Sequence, residues 1–164
     1  GRGLRTNSTP VAQAALRLWG DSVPVLTFET LKSEARAAVS AILPDILVSF
    51  AYGRIFGPRF MELFQKGGIN VHPSLLPRWR GSSPIPHAIM FMDEETGISI
   101  QTIAPEMDTG ELLNTHRIPL TGRETSASLS HLCAQLAGQT RLTVSAREAL
   151  DVVREAWERA VAEA

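Results

Sequence analysis

Six residues, Asp45-Ile-Leu-Val-Ser-Phe50, constrain this chain more than any other stretch. A run so short and so nearly continuous in apolar residues suits a strand covered on both faces, the environment of a parallel sheet flanked by helices. Its neighbours fit that setting. Before it, Leu31, Ala35, Ala38, Val39 and Ile42 repeat at helical spacing and are closed by Pro44. After it come Gly53, Gly57-Pro58 and a short helix to about Phe64, then a second strand, Ile69-Asn-Val-His72, ended by Pro73. Strands alternating with helices imply an α/β fold on an open, mostly parallel sheet.

The pattern extends in both directions. Thr9-Pro10 supplies an N-cap and a first-turn proline for a helix carrying Val11, Ala14, Ala15 and Leu18. Val23 to Phe28 is a strand candidate. Ser74 to Pro86 is a loop, because Pro77, Gly81, Pro84 and Pro86 oppose regular structure, and a helix follows from about Ile85 to Met92. Gly97 to Ile103 and Leu112 to Ile118 alternate as strands. Leu129, Leu132, Cys133 and Leu136 form another helical stripe, and a last helix is expected over 142–161. At 164 residues, 44% apolar and 20% charged, residues 1–164 form one globular domain.

Several classes are excluded. The single cysteine, Cys133, permits no internal disulfide and no cysteine-based zinc site. No apolar run nears the roughly 18 residues of a transmembrane helix, and GRGLRTNSTP lacks the apolar core of a signal peptide. A cytoplasmic enzyme or binding domain, with no membrane partner, is the expectation. Charge is uneven: residues 1–80 carry ten Lys or Arg against five acids, and residues 81–164 carry six against twelve. Such polarity marks either a face for an anionic partner or solvated charge.

In open α/β sheets ligands sit beyond the carboxyl ends of strands. That points to Ala51-Tyr52-Gly53, Asn70 to Pro77 and the turn Pro105 to Glu111. Asn70 and His72, two apart on a strand, project from one face. An amide beside an imidazole suits oxyanion stabilisation with proton transfer, and equally suits simple strand capping. Asp108, in the turn Met107-Asp-Thr-Gly110, can orient an imidazole or accept a proton, or merely close an Asx-turn. No serine lies in a G-x-S-x-G elbow, no histidine has metal-ligand spacing, and no G-x-G-x-x-G or Walker loop supports a dinucleotide or nucleoside triphosphate. Asp93-Glu94-Glu95 is most simply a solvated helix end. Arg78-Trp79-Arg80 can grip an anion and stack on a planar ring, or can pack its Trp with both arginines in water.

The run Asn70-Val-His-Pro-Ser-Leu-Leu-Pro-Arg-Trp-Arg-Gly-Ser-Ser-Pro-Ile85 resembles the signature of the folate-dependent formyltransferases. Asp93-Glu-Glu-Thr-Gly97 and Met107-Asp-Thr-Gly110 recur at that family's spacing. The form P-R-W-R-G-x-x-P-I is most similar to the branch that formylates methionyl initiator tRNA, as are Gly1-Arg2-Gly3 and Thr9-Pro10-Val11. The resemblance covers about residues 1–140 and implies a Rossmann-like formyltransferase fold, with 141–164 a poorly matched carboxy-terminal helix. It implies Asn70, His72 and Asp108 as the catalytic trio. Ala51, Tyr52 and Gly53, with Ser74, Leu75, Leu76 and Pro77, would contact the folate. Arg2, Arg78 and Arg80 would contact tRNA. The implied donor is 10-formyltetrahydrofolate, the partners are folate and initiator methionyl-tRNA rather than DNA, and no metal is needed. Family members begin with a strand and a Gly-Thr-Pro-type loop and end in a β-barrel, so this chain is expected to be a fragment missing its first strands. The alternatives are a formyltransferase for an amino sugar nucleotide or another small amine, and a non-catalytic folate- or RNA-binding module.

Overall fold

The computed structural model describes residues 9–139. In chain order these form α1 (Pro10–Trp19), a single 3-10 turn (Gly20–Ser22), α2 (Ser33–Ser40), β1 (Leu47–Phe50), α3 (Pro58–Met61) and β2 (Gly68–His72). There follow α4 (Pro84–Met90), β3 (Glu95–Thr102), β4 (Leu112–Pro119) and α5 (Ser126–Gln139). The strands make one open sheet in the order β1-β2-β3-β4. The α/β class holds, with a mixed sheet. β1 and β2 are parallel, whereas β3 runs antiparallel to both β2 and β4.

The link 73–94 from β2 to β3 is long enough for a crossover, so its path rather than its length sets the direction of β3. A parallel return needs a crossover of a dozen or more residues that carries the chain back along the strand. α4 has seven residues and rises only about 10 Å, so it does not return the chain to the start of β2. The segment 103–111 between β3 and β4 falls short of a crossover and can only turn the chain back.

Register sorts the side chains onto two faces. Asn70 lies opposite Ser49 on one side and Gln101 on the other, and His72 lies opposite Ser99. These five polar residues share one face. The alternate residues, Ile69, Val71, Ile98 and Ile100, face the other way and pack with Ile85 of α4 and with Leu129, Cys133 and Ala137 of α5. Burial pushes the Cys133 thiol up to about 12, so it stays an inert packing group. A second cluster joins Ala35 of α2 to Phe60 and Phe64, with Leu47 of β1 against it.

Three expectations change. Val23 to Phe28 forms no strand. Pro24 removes a ladder donor, and the apolar residues serve two separate clusters, Val25 on α1 and Phe28 on α2. β1 touches apolar neighbours on both faces, but of its four residues only Ser49 is buried, because β1 is an edge strand of the described sheet. Pro84 and Pro86 belong to the first turn of α4 rather than to the loop; that turn's N–H groups have no intrahelical partner, so proline costs nothing there. At the start of the chain the capping expectation is met: Ala12 N donates to Thr9 Oγ1 at 3.3 Å. The helix expected over 142–161 and the motif Gly1-Arg2-Gly3 lie outside the described residues.

Candidate active site

Asp108 is the hub of the polar face. Its Oδ1 accepts from Gln101 Nε2 at 2.9 Å and from Asn70 Nδ2 at 3.4 Å. Its Oδ2 accepts from the backbone N–H of Gly81 at 2.9 Å and lies 3.4 Å from His72 Nδ1. The carboxylate and the imidazole are both buried, with 8% and 6% of their side-chain surface exposed. His72 Nε2 lies 2.9 Å from the Trp79 carbonyl oxygen. A carbonyl only accepts, so Nε2 carries a hydrogen and Nδ1 is the nitrogen left to face Asp108.

The sequence order hides how Asp108 arrives there. Because β3 is antiparallel to β2, the turn 103–111 leaves the sheet beside the start of β2, where Ile69 pairs with Thr102. It is not at the carboxyl end of β2, as a parallel β3 would require. The turn instead folds back over the polar face. Ile103 N donates to Gly68 O, Thr102 N to Glu111 O, and Glu111 N to Thr102 Oγ1. Gly110 permits this closure, since a Cβ there would stand 1.7 Å from the Thr102 carbonyl oxygen. Asp108 itself sits at φ 54, a left-handed conformation that aspartate tolerates better than most residues.

A cavity of about 490 Å³ opens against this face. That is within the size range of small-molecule sites. Its walls include Asn70, His72, Gln101 and Asp108, the loop 51–56 and the serine-proline segment 81–86. Tyr52 and Phe56 stack with centroids 4.8 Å apart and an 11° tilt, giving the wall a flat aromatic element. Ala51 at φ 51 and Gly53 at φ 71 turn the chain sharply where β1 ends. Ala51, Tyr52, Gly53, Asn70, His72 and Asp108 are thus brought together. Gln101, only 2% exposed, escaped the sequence reading. The usable signal was the alternation Ile98-Ser-Ile-Gln101, which puts Gln101 on the same face as Asn70.

Ser74, Leu75, Leu76 and Pro77 do not line the cavity. They form a buttress behind it. Ser74 Oγ donates to Arg78 O at 2.5 Å, Ser99 Oγ donates to Ser74 O at 2.8 Å, and Leu76 N donates to Ser99 Oγ at 3.0 Å. These bonds fix the loop whose Trp79 carbonyl holds His72. Arg80 is exposed, and Arg2 lies outside the described residues.

Asp93 is not a solvated helix end. Its side chain is 7% exposed and accepts from Arg78 Nε at 2.9 Å, Arg78 Nη2 at 2.5 Å and Trp79 Nε1 at 2.6 Å. The Arg78 guanidinium also lies 4.4 Å over the Trp79 ring, whose other neighbours are His87 and Phe91. Arg78 above all, and then Trp79, hold the Asp93 carboxyl below the ordinary value of 3.8, although burial opposes them. A depressed folded value gives stability that is complete above 3.8 and lost as pH falls through the folded value. In urea unfolding, Asp93→Asn is expected to lower the midpoint at neutral pH and to flatten the acid dependence in that window. An unchanged midpoint at pH 7 would mean that this anchor contributes nothing.

Among the described residues no cluster of His, Cys, Asp or Glu could hold a metal ion, and no helix is long and apolar enough to cross a membrane. Residues 6–144 match the family described as formyl transferase. A protein of Treponema pallidum (strain Nichols) named methionyl-tRNA formyltransferase is 60% identical over 92 residues, 56% of this chain and 29% of that protein. Its namesake in Treponema denticola is 45% identical over 139 residues, 82% of this chain and 43% of that protein. The chain spans less than half the length of these curated relatives. Among solved structures, glycinamide ribonucleotide transformylase 1 from Geobacillus kaustophilus aligns with a TM-score of 0.66 and 20% identity, covering 91% of this chain and 76% of that one. Phosphoribosylglycinamide formyltransferase from Bacillus halodurans gives 0.64 and 19%, covering 87% and 72%. At such identities the likeness establishes the fold alone.

Proposed function

The chain belongs to the formyl transferase family, and from that membership we propose that its polar sheet face is the site of formyl transfer to the α-amine of methionyl initiator tRNA. The observation carrying this reading is the convergence of Asn70, His72 and Asp108 within 3.4 Å contacts on the wall of one cavity. What supports this acceptor is the name of relatives up to 60% identical, methionyl-tRNA formyltransferase.

The formyl donor in this reading is 10-formyltetrahydrofolate, which supplies an activated formyl carbon on N10. The cavity fits a flat, polar-edged heterocycle: the stacked Tyr52 and Phe56 offer an aromatic wall, and the backbone of 51–53 turns beside it. The mechanism then rests on three side chains. Asn70 points its amide N–H toward the oxygen on which negative charge builds as the amine attacks. Protonated His72 donates from Nδ1 to Asp108 Oδ2, because Nε2 is committed to the Trp79 carbonyl, and its positive charge beside the cavity stabilises the developing oxyanion. Asp108 orients that imidazole and takes the proton that the amine releases, passing it toward the leaving nitrogen. No enzyme nucleophile is required. Arg78 serves the acceptor only indirectly, being bound to Asp93, so exposed Arg80 is the stronger candidate for a phosphate contact.

The test is formyl transfer from labelled 10-formyltetrahydrofolate by the 164-residue chain. Methionyl initiator tRNA, an amino sugar nucleotide and glycinamide ribonucleotide are offered side by side. Transfer to the tRNA is expected. Transfer to a small amine alone would overturn the acceptor and keep the chemistry.

A further inference from the structure

Gln101 is buried at 2% exposure on β3, lines the cavity, and has one satisfied and one unsatisfied amide atom. Nε2 donates to Asp108 Oδ1 at 2.9 Å, while Oε1 is buried with no hydrogen-bond partner. A buried orphan carbonyl costs free energy, and native proteins keep few of them. Its position is also specified. The β3–β4 register slips between Ile100 and Gln101, from Ile100 opposite Asn114 to Gln101 opposite Leu112. Bulges of this kind re-aim side chains beside active sites.

We propose that Gln101 is a positioning residue that holds Asp108 ionised and facing His72, and that its amide turns over when Asp108 takes up a proton. This rests on the formyl-transfer reading only for its kinetic consequence. The orientation in place is the one an ionised carboxylate requires, since Oε1 against Oδ1 would set two acceptors together. Once a proton sits on Oδ1 the preference reverses. A 180° rotation of the amide exchanges atoms of nearly equal size, needs no new space, and gives the Asp108 O–H an acceptor. One amide atom lacks a partner in either setting, so the orphan is common to both states. Oδ1 is the oxygen in contact with the Gln101 amide, so a proton placed there is the one the amide answers.

The titratable and charged groups that line the cavity with Asp108 are His72 from β2, which touches it, Tyr52 and Arg54 from the loop 51–56, and Glu106 on its own turn. Carbon-detected NMR of the labelled full chain follows the Asp108 carboxyl, and nitrogen NMR follows the Gln101 amide, across pH. In the wild type both signals should move with one midpoint. Gln101→Met removes the donor and should raise the Asp108 midpoint by about one pH unit or more, as loss of a hydrogen bond to a charged group implies. Gln101→Glu keeps the size and sets two carboxyls together, so its upper midpoint should rise further. In formyl transfer Gln101→Met should lower kcat roughly tenfold, with the folate KM unchanged and the pH profile displaced in the direction of the NMR shift. A purely structural Gln101 would move stability but neither midpoint nor profile.

An Asp108 midpoint unmoved in both variants overturns the proposal, as does a Gln101 amide signal indifferent to Asp108. Circular dichroism confirms folding of each variant, and either folded one suffices. A midpoint shift in a chain that transfers formyl to no amine would overturn the functional reading and leave the coupling standing. Wild-type transfer with no shift would overturn this inference alone.

Discussion

Asn70→Ala is expected to slow formyl transfer by roughly a hundred- to a thousandfold while the chain stays folded. That is the usual effect of deleting one donor from an oxyanion site, about 2.7–4 kcal/mol in the barrier. The placement of Asn70 supports a loss in the chemical step rather than in binding. It sits in the middle of β2, between Ser49 and Gln101, where neighbouring strands fix its backbone on both sides. Its Nδ2 is within 3.4 Å of Asp108 Oδ1, a long contact that leaves the second N–H for the reacting oxygen. The substitution creates little void, because Asn70 is only half-buried and borders the cavity. Single-turnover transfer separates the steps: kcat should fall with little change in the folate KM. Turnover near the wild-type level would remove Asn70 from the oxyanion role, and a raised KM alone would recast it as a binding residue.

Much of this site was legible because strand alternation is local. Ile69-Asn-Val-His72 announces two polar residues on one face within four positions, and Thr9-Pro10 announces a helix start within two. Direction was not legible. Whether β3 runs with or against β2 depends on how far α4 carries the chain, and the start of that helix is obscured by Pro84 and Pro86. A parallel β3 and the observed antiparallel one both bring Asp108 near His72, by different routes, so the sequence placed the two side by side through the wrong geometry. Burial of charge was equally hidden. Asp93 looks solvated beside Glu94 and Glu95, and only the folded loop reveals Arg78 and Trp79 on its carboxylate. Gln101 was missed for the complementary reason. A glutamine in an apolar alternation carries no motif, and its partner lies seven residues on, across a turn that the sequence leaves open.

The second large effect falls on stability. Gly97→Ala is expected to destabilise the chain by about 3 kcal/mol or more, at or beyond the upper end of ordinary overpacking. A Cβ at this position would stand 2.0 Å from the His116 carbonyl oxygen and 2.6 Å from Leu75 Cδ2. The side chain of Leu75 could turn away, but the His116 oxygen belongs to β4. Moving it means opening the β3–β4 ladder where Ile98 pairs with His116. For a domain with a total stability of roughly 5–15 kcal/mol, that is a large share. The cost should also reach the site. Leu75 lies where a side chain on residue 97 would be, and it leads the Ser74–Arg78 buttress, beyond which the Trp79 carbonyl holds His72 Nε2. Whatever fraction of Gly97→Ala remains folded should therefore show a weakened His72 contact and reduced formyl transfer. Gly53→Ala makes a useful contrast, since a Cβ there meets nothing within 4 Å and only its φ of 71 is strained. Urea unfolding of the two variants separates the effects: Gly97→Ala should lose far more than the ~1 kcal/mol scale of a left-handed alanine. Equal losses would mean that β3 and β4 do not approach as closely at Gly97 as their pairing requires.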